Sequence, residues 1–180
     1  MIIVVTGTPG TGKSTVAKAL SNRYKLRYVN VSEFAISNKL YTEYDEETRS
    51  YVIDEEKLSE ELARFIGKEG AVVETIYPSL LTSADRVLVL RRNPKELWEE
   101  LEKRGWPIKK VAENVEAELL GVVSQEARES FDDVCEINVT GKSVDQVIEL
   151  FETRKCESID WMNEPGIEDV LGRIYRALNS

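Results

Sequence analysis

Residues 2–15 read Ile2-Ile3-Val4-Val5-Thr6-Gly7-Thr8-Pro9-Gly10-Thr11-Gly12-Lys13-Ser14-Thr15. Four β-favouring apolar residues run straight into a glycine-rich loop. Gly7-x-x-x-x-Gly12-Lys13-Ser14 meets the spacing of a phosphate-binding loop in full, with a strand expected before it and a helix after. The glycines let the loop curl with its N–H groups turned inward. The helix beginning at Lys13 aims the positive end of its dipole at the same point. Lys13 is expected to reach the β- and γ-phosphates of a nucleotide, and the Ser14 hydroxyl to ligate Mg²⁺. Pro9 stiffens the loop. The plainer alternative, a glycine-rich turn before an ordinary helix, accounts for neither the lysine nor the serine.

The loop leaves the phosphate acceptor open: water, a metabolite hydroxyl or a second nucleotide. Composition narrows the choice. The 180 residues contain no histidine, which removes Ser-His-Asp and Cys-His catalysis, a histidine base and any histidine metal site. The chemistry must run on Lys, Arg, carboxylates, hydroxyls and a bound ion. The length suits one domain. No apolar run approaches the ~18 residues of a membrane helix, and the N-terminus lacks a signal-peptide pattern. A soluble, cytoplasmic protein with no membrane partner is therefore expected. Cys135 and Cys156 form no metal-ligand cluster, and they read as packing residues rather than a bridge. The net charge of −9 argues against broad nucleic-acid binding. That charge is uneven: residues 91–110 carry a net of +3 and residues 30–62 a net of −7. Glu-rich, Gln-poor composition resembles that of thermophiles.

Strand-like segments near residues 2–6, 27–31, 71–76, 86–90 and 134–139 alternate with helical ones near 13–24, 56–68, 94–104, 108–128 and 143–155. This alternation predicts a doubly wound α/β domain with a parallel sheet. After Pro165-Gly166, Ile167, Val170, Leu171, Ile174, Tyr175 and Leu178 form one helical stripe, expected to pack on the sheet. A switch GTPase would need Asn-Lys-x-Asp after the middle strands. The only Asn-Lys pair, Asn38-Lys39-Leu40-Tyr41, lacks the Asp and comes too early.

Three further segments bear on the acceptor. Leu101-Glu102-Lys103-Arg104-Gly105-Trp106-Pro107 joins two helices in the basic part of the chain. Arg104 can neutralise a transferring phosphoryl group, and Gly105 offers a hinge for a short lid; a solvated helix end is the alternative. Asn138-Val139-Thr140-Gly141-Lys142 follows the last strand, where α/β sheets bind ligands, and is expected to close over the nucleotide base. Glu74 ends the strand Ala71-Val72-Val73, placed to hold Mg²⁺ through water or to orient a nucleophile. A hydroxyl acceptor needs a base to take its proton. A nucleoside monophosphate, with a second pKa of about 6, arrives largely ionised and needs only positioning and charge neutralisation. The residues therefore favour a nucleotide acceptor, with a small-metabolite kinase as the outsider.

In order along the chain, Gly7 through Thr15, Tyr28-Val-Asn-Val-Ser32, Leu40-Tyr41, Tyr44-Asp-Glu-Glu47, Asp54-Glu55, Leu90-Arg91, Leu101 through Gly105, Lys109-Lys110, Glu113-Asn114 and Glu116 resemble the adenylate kinase isoenzyme six family, the coilin-interacting nuclear ATPase group. The resemblance covers most of the chain. It implies a P-loop nucleoside-monophosphate-kinase fold with a five-stranded parallel sheet of order 2-3-1-4-5 flanked by helices. It places a monophosphate-binding region near residues 30–53 and a short lid near 103–113. It assigns ATP binding to Gly10, Gly12, Lys13, Ser14 and Thr15, and matches Arg104 to the lid arginine. ATP and AMP are the implied substrates, with Mg²⁺. The family usually carries Asp-x-His after the third strand, tied to ATP hydrolysis. Here the residues are Glu74-Thr75-Ile76, and Ile76 can orient nothing polar, so the departure bears on ATPase activity more than on transfer to a phosphate. The family also implies ATP-dependent assembly of the small ribosomal subunit, with a basic ribosomal protein of the uS11 (S14-type) kind as partner. The acidic residues 30–62 give that partner an electrostatic motive; a solvated helical face is the alternative.

Overall fold

The computed structural model describes residues 1–180. Ile2–Gly7 forms β1, and Lys13–Tyr24 forms α1 directly after the glycine-rich loop. The chain continues through β2 (Tyr28–Asn30), α2 (Val31–Ser37), β3 (Tyr41–Asp45), β4 (Ser50–Ile53), α3 (Glu55–Ile66), β5 (Ala71–Thr75) and β6 (Arg86–Arg91). Then come α4 (Pro94–Lys103), α5 (Ile108–Leu120), α6 (Val122–Ser130), β7 (Val134–Asn138), α7 (Val144–Glu152) and α8 (Ile167–Leu178).

Five strands make one parallel sheet in the order β2-β5-β1-β6-β7. Counted among themselves, that is the expected order 2-3-1-4-5. Alternation along β1 divides the core. Val4, with Val73, Val87 and Val89, faces Ala35 of α2, Leu58, Leu62 and Ile66 of α3, and Ala127 of α6. Ile3 and Val5, with Val72, Leu88 and Leu90, face Val16, Ala17 and Leu20 of α1 and Val147, Ile148 and Phe151 of α7. Buried on both faces, these strands read as apolar runs rather than strict alternation. Side-chain caps set several helix starts. The Asn30 side chain accepts from Glu33 N (3.0 Å), Asp54 from Lys57 N (3.2 Å), and Ser143 and Gln146 form a reciprocal capping box.

The structure corrects four expectations. A β-hairpin, β3–β4, and the short helix α2 occupy residues 31–53, where no element was read. The hairpin's turn is built by Asp45, whose Oδ1 accepts from Glu47 N and Thr48 N, and by Arg49 at φ 52° instead of a glycine. Turn signals therefore gave little notice of it. The helix expected over 108–128 breaks at Gly121, φ 68°, into α5 and α6. Helix α8 packs on α4 and α5, not on the sheet: Ile167, Val170 and Ile174 join Leu97, Trp98, Leu101, Val111 and Val115 in a separate cluster. Finally, Cys135 and Cys156 are disulfide-bonded. After α7 the chain doubles back along the outer edge of β7, where Glu157 N donates to Glu136 O (2.8 Å) and Asn138 N to Glu157 Oε2 (2.7 Å). That return brings the cysteines together, and their separation of 21 residues does not announce it. The segment also covers an otherwise open strand edge.

Candidate active site

The carboxyl ends of β1, β5 and β6 open onto one crevice, and the glycine-rich loop lies at its centre. Gly10 sits at φ 91°, and a Cβ there would meet Leu97 Cδ1 at 2.8 Å, so α4 packs directly on the loop. Lys13 is buried. Its Nζ donates to Thr8 O (3.2 Å), which also accepts from Thr11 Oγ1 (2.8 Å). Burial is the main cause that lowers Lys13 to about 8; Arg104 acts in the same direction, against Glu74 and Glu118.

Ser14 Oγ donates to Glu74 Oε1 (2.7 Å), joining the first turn of α1 to β5. The Tyr28 hydroxyl donates to Glu74 Oε2, and Asn30 Nδ2 donates to the same oxygen (3.3 Å). Desolvation first, then the bond to Glu74, pushes Tyr28 up to about 12, so it remains a neutral donor across the working range. No cluster of three or more His, Cys, Asp or Glu forms a metal cage. A hydroxyl beside a carboxylate nonetheless fits Mg²⁺, a hard cation that takes oxygen ligands and needs few of them from the protein.

Two cavities flank the loop. One, about 450 Å³, is lined by Gly10, Gly12, Thr15, Arg92, Arg104, Val139, Gly141 and Lys142. The other, about 380 Å³, is lined by Gly10, Lys13, Ser14, Asn30, Ser32, Glu74, Arg104 and Trp106. Arg104 stands between them, half-exposed, its guanidinium 3.4 Å from Glu100 and 5.9 Å from the Trp106 ring. The second cavity adjoins a third of about 270 Å³, mostly apolar, through Ser32, Thr75 and Ile76. Lys142 lines the first cavity while its Nζ donates to Asn138 O (2.6 Å). All of Gly10, Gly12, Lys13, Ser14, Thr15, Glu74, Arg104 and Lys142 thus gather around one crevice.

Sequence reasoning missed several residues here. Arg91, counted among the basic residues of 91–110, is buried and paired with Glu118 (2.8 Å) and Glu136 (2.6 Å). Arg92 Nη1 donates to Gly10 O (2.8 Å). Burial alone would raise the Glu136 carboxyl, but bonds from Arg128, Ser124 and Arg91 hold it below the usual range. The signal for Glu118 was present: it lies on the same stripe of α5 as Val111, Ala112, Val115 and Leu119. Arg49 Nη1, at the hairpin tip, donates to Gly105 O (3.2 Å). That contact joins segments 56 residues apart, and local pattern carries no trace of it.

A parallel sheet of this order, with a phosphate-binding loop after its central strand, defines the P-loop kinase fold. A family profile described as an AAA domain matches residues 3–121. Over its whole length the chain is 48% identical to a protein of Sulfurisphaera tokodaii and 50% identical to one of Saccharolobus solfataricus, covering 96% and 97% of them. Both carry the name "Putative adenylate kinase", and the chain belongs to their family. Two solved structures share the fold. The shikimate kinase of Bacteroides thetaiotaomicron has a TM-score of 0.57 at 14% identity, over 86% of this chain and 98% of that one. The thymidylate kinase of Candida albicans has a TM-score of 0.51 at 18% identity, over 86% and 92%.

Proposed function

We propose that the protein is a Mg²⁺-dependent nucleoside monophosphate kinase of adenylate kinase type, of the isoenzyme six kind, catalysing ATP + AMP = 2 ADP. The observation that carries this is the pair of cavities sharing Gly10, Gly12 and Arg104, the second running on into an apolar pocket. A hydrolase needs room for water on the acceptor side; this chain offers a recess of nucleotide size. The names of its relatives point the same way.

In this mechanism ATP lies in the first cavity, its base beneath Val139–Lys142 and its phosphates in the loop amides with Gly10, Gly12, Thr15 and Lys13. Ser14 would hold Mg²⁺ and Glu74 would orient the water bound to it; the ion would supply charge neutralisation at the phosphate oxygens. AMP enters the second cavity, its base against Val31, Ile53 and Ile76. Its ionised phosphate needs no base, so catalysis reduces to alignment and charge neutralisation by Lys13 and Arg104. The 180 residues act as one domain, with residues 30–53 holding the monophosphate and 103–113 serving as lid.

A second reading is a nucleotide-gated chaperone, with ATP hydrolysis, for a basic small-subunit ribosomal protein of uS11/S14 type. The exposed Glu43, Glu46, Glu47, Glu55, Glu56 and Glu60 favour it. No helix is long and apolar enough to cross a membrane. The proposed cytoplasmic location is compatible with a disulfide if the host is a hyperthermophile.

The test mixes protein, Mg-ATP and AMP and separates ADP from free phosphate, with Lys13→Ala as control. Two ADP per ATP, lost in the control, is the expected result. Phosphate release independent of AMP would overturn transfer and leave the chaperone ATPase.

A further inference from the structure

Glu118 lies near the C-terminal end of α5 and is 1% exposed. A carboxylate that deep is tolerated only with full hydrogen bonding. Its two oxygens divide the work. Oε1 accepts from Arg91 Nε (2.8 Å), Trp161 Nε1 (3.0 Å) and Arg92 N (3.1 Å), which ties β6 and the segment before α8 to α5. Oε2 accepts from the Thr8 hydroxyl (2.8 Å), inside the phosphate loop. The Thr8 carbonyl is in turn the acceptor for Lys13 Nζ. A second path reaches the loop through Arg92, whose N–H bonds Glu118 and whose Nη1 bonds Gly10 O (2.8 Å). Helix α5 itself begins at Ile108, immediately after the turn that carries Arg104 and Trp106. One rod of roughly 15 Å therefore connects that turn to the loop.

We propose that Glu118 is a positioning residue: through the Thr8 hydroxyl it fixes the phosphate loop, and with it the Lys13 ammonium, to α5, the helix whose first turns belong to the lid. This deepens the kinase reading and rests on it. The Oε1 bonds serve stability. The Oε2 bond is separable from them, because Thr8→Val keeps shape and removes only the hydroxyl.

The charged groups facing Lys13 are Glu74 from β5, Arg104 from the turn after α4 and Glu118 from α5. Glu118 also faces Arg91, which links it to Glu136 on β7.

The experiment measures melting temperature and steady-state transfer, with kcat and KM for ATP separated, in the wild type, Thr8→Val, Thr8→Ser, Glu118→Gln and the double variant Thr8→Val/Glu118→Gln. In Thr8→Val, kcat is expected to fall about ten- to a hundredfold, the scale of a small misplacement of a reacting group. KM for ATP changes less than about threefold on the same argument, since the binding contacts remain. Thr8→Ser restores kcat. In Glu118→Gln kcat falls as in Thr8→Val, and the double variant is no slower than either single one, because both remove the same bond. A merely structural Glu118 would lower the melting temperature and leave kcat in Thr8→Val at the wild-type value; that result overturns the proposal. Should Glu118→Gln fail to fold, Thr8→Val and Thr8→Ser decide alone. A wild type that binds ATP but transfers nothing to AMP sinks the kinase reading, and the rate of phosphate release from ATP in the wild type, Thr8→Val and Thr8→Ser then judges Glu118 separately.

Discussion

Lys13 carries its charge in a place that works against charge. Burial holds it near 8, and the nucleotide phosphates would restore the proton's grip by supplying negative charge. The free protein and the ATP complex should therefore respond differently to pH. As pH rises through about 8, free Lys13 becomes neutral and kcat/KM for ATP falls. The kcat profile, reporting the complex, stays level to higher pH. A kcat/KM that is flat from pH 7 to 9.5 would remove Lys13 as the titrating group. Glu74 works beside it, receiving Ser14, Tyr28 and Asn30. Glu74→Gln keeps the shape but loses the charge that supports Lys13 and that, in the proposed mechanism, would steady an ion's water shell. Activity at saturating Mg²⁺ should drop by ~10–100-fold, the usual cost of losing an outer-shell ligand partner. Full activity in Glu74→Gln would show that the carboxylate only caps Ser14.

Elements position these residues by contacts that bridge long stretches of chain. The β3–β4 hairpin brings Arg49 to Gly105, and along it Tyr51 meets Tyr41 at a tilt and Tyr44 edge-on, with centroids 4.6 and 5.1 Å apart. At the other end of the sheet, the Cys135–Cys156 bond pins the returning segment to β7, just before Trp161 reaches Glu118. Closing a loop of this length is worth about 3 kcal/mol in the chain-entropy model. For a chain of this size that corresponds to roughly 6–12 °C in melting temperature. Thermal melts with and without a dithiol reductant, and of Cys156→Ser, should show that loss, while transfer at 25 °C persists. An unmoved melting temperature would mean that the bridge adds nothing to the packing around β7.

At the scale of the molecule, charge and cavity are arranged in opposition. The net −9 lies largely on the hairpin and α3, whereas Lys13, Arg92, Arg104 and Lys142 line the crevice. An anionic nucleotide is drawn inward and the outer face stays acidic. A ligand that binds only the folded state stabilises it by about 2.7 kcal/mol at a hundred times Kd. With Mg-ATP at that level, the melting temperature should rise by roughly 5–11 °C, and Lys13→Ala should abolish the rise. A wild type whose melting temperature ignores Mg-ATP would exclude the crevice as a nucleotide site.

The phosphate loop, the five strands of a parallel sheet and the cluster of Gly10, Gly12, Lys13, Ser14, Thr15 and Glu74 were legible in the amino-acid sequence, while the order of the strands came only with the family resemblance. Each follows from local rules: spacing within a loop, apolar runs of strand length, and a carboxylate at a strand's carboxyl end. Glu118 was half legible, an acid on an apolar stripe whose partners no local pattern names. The disulfide, the packing of α8 on α4 and α5, the Arg49–Gly105 contact and the sharing of Arg104 between two cavities were decided only by the tertiary structure. These link residues far apart along the chain, and such pairings are chosen by which surfaces remain to be buried once the sheet has formed. Short-range propensity and periodicity hold no record of that choice.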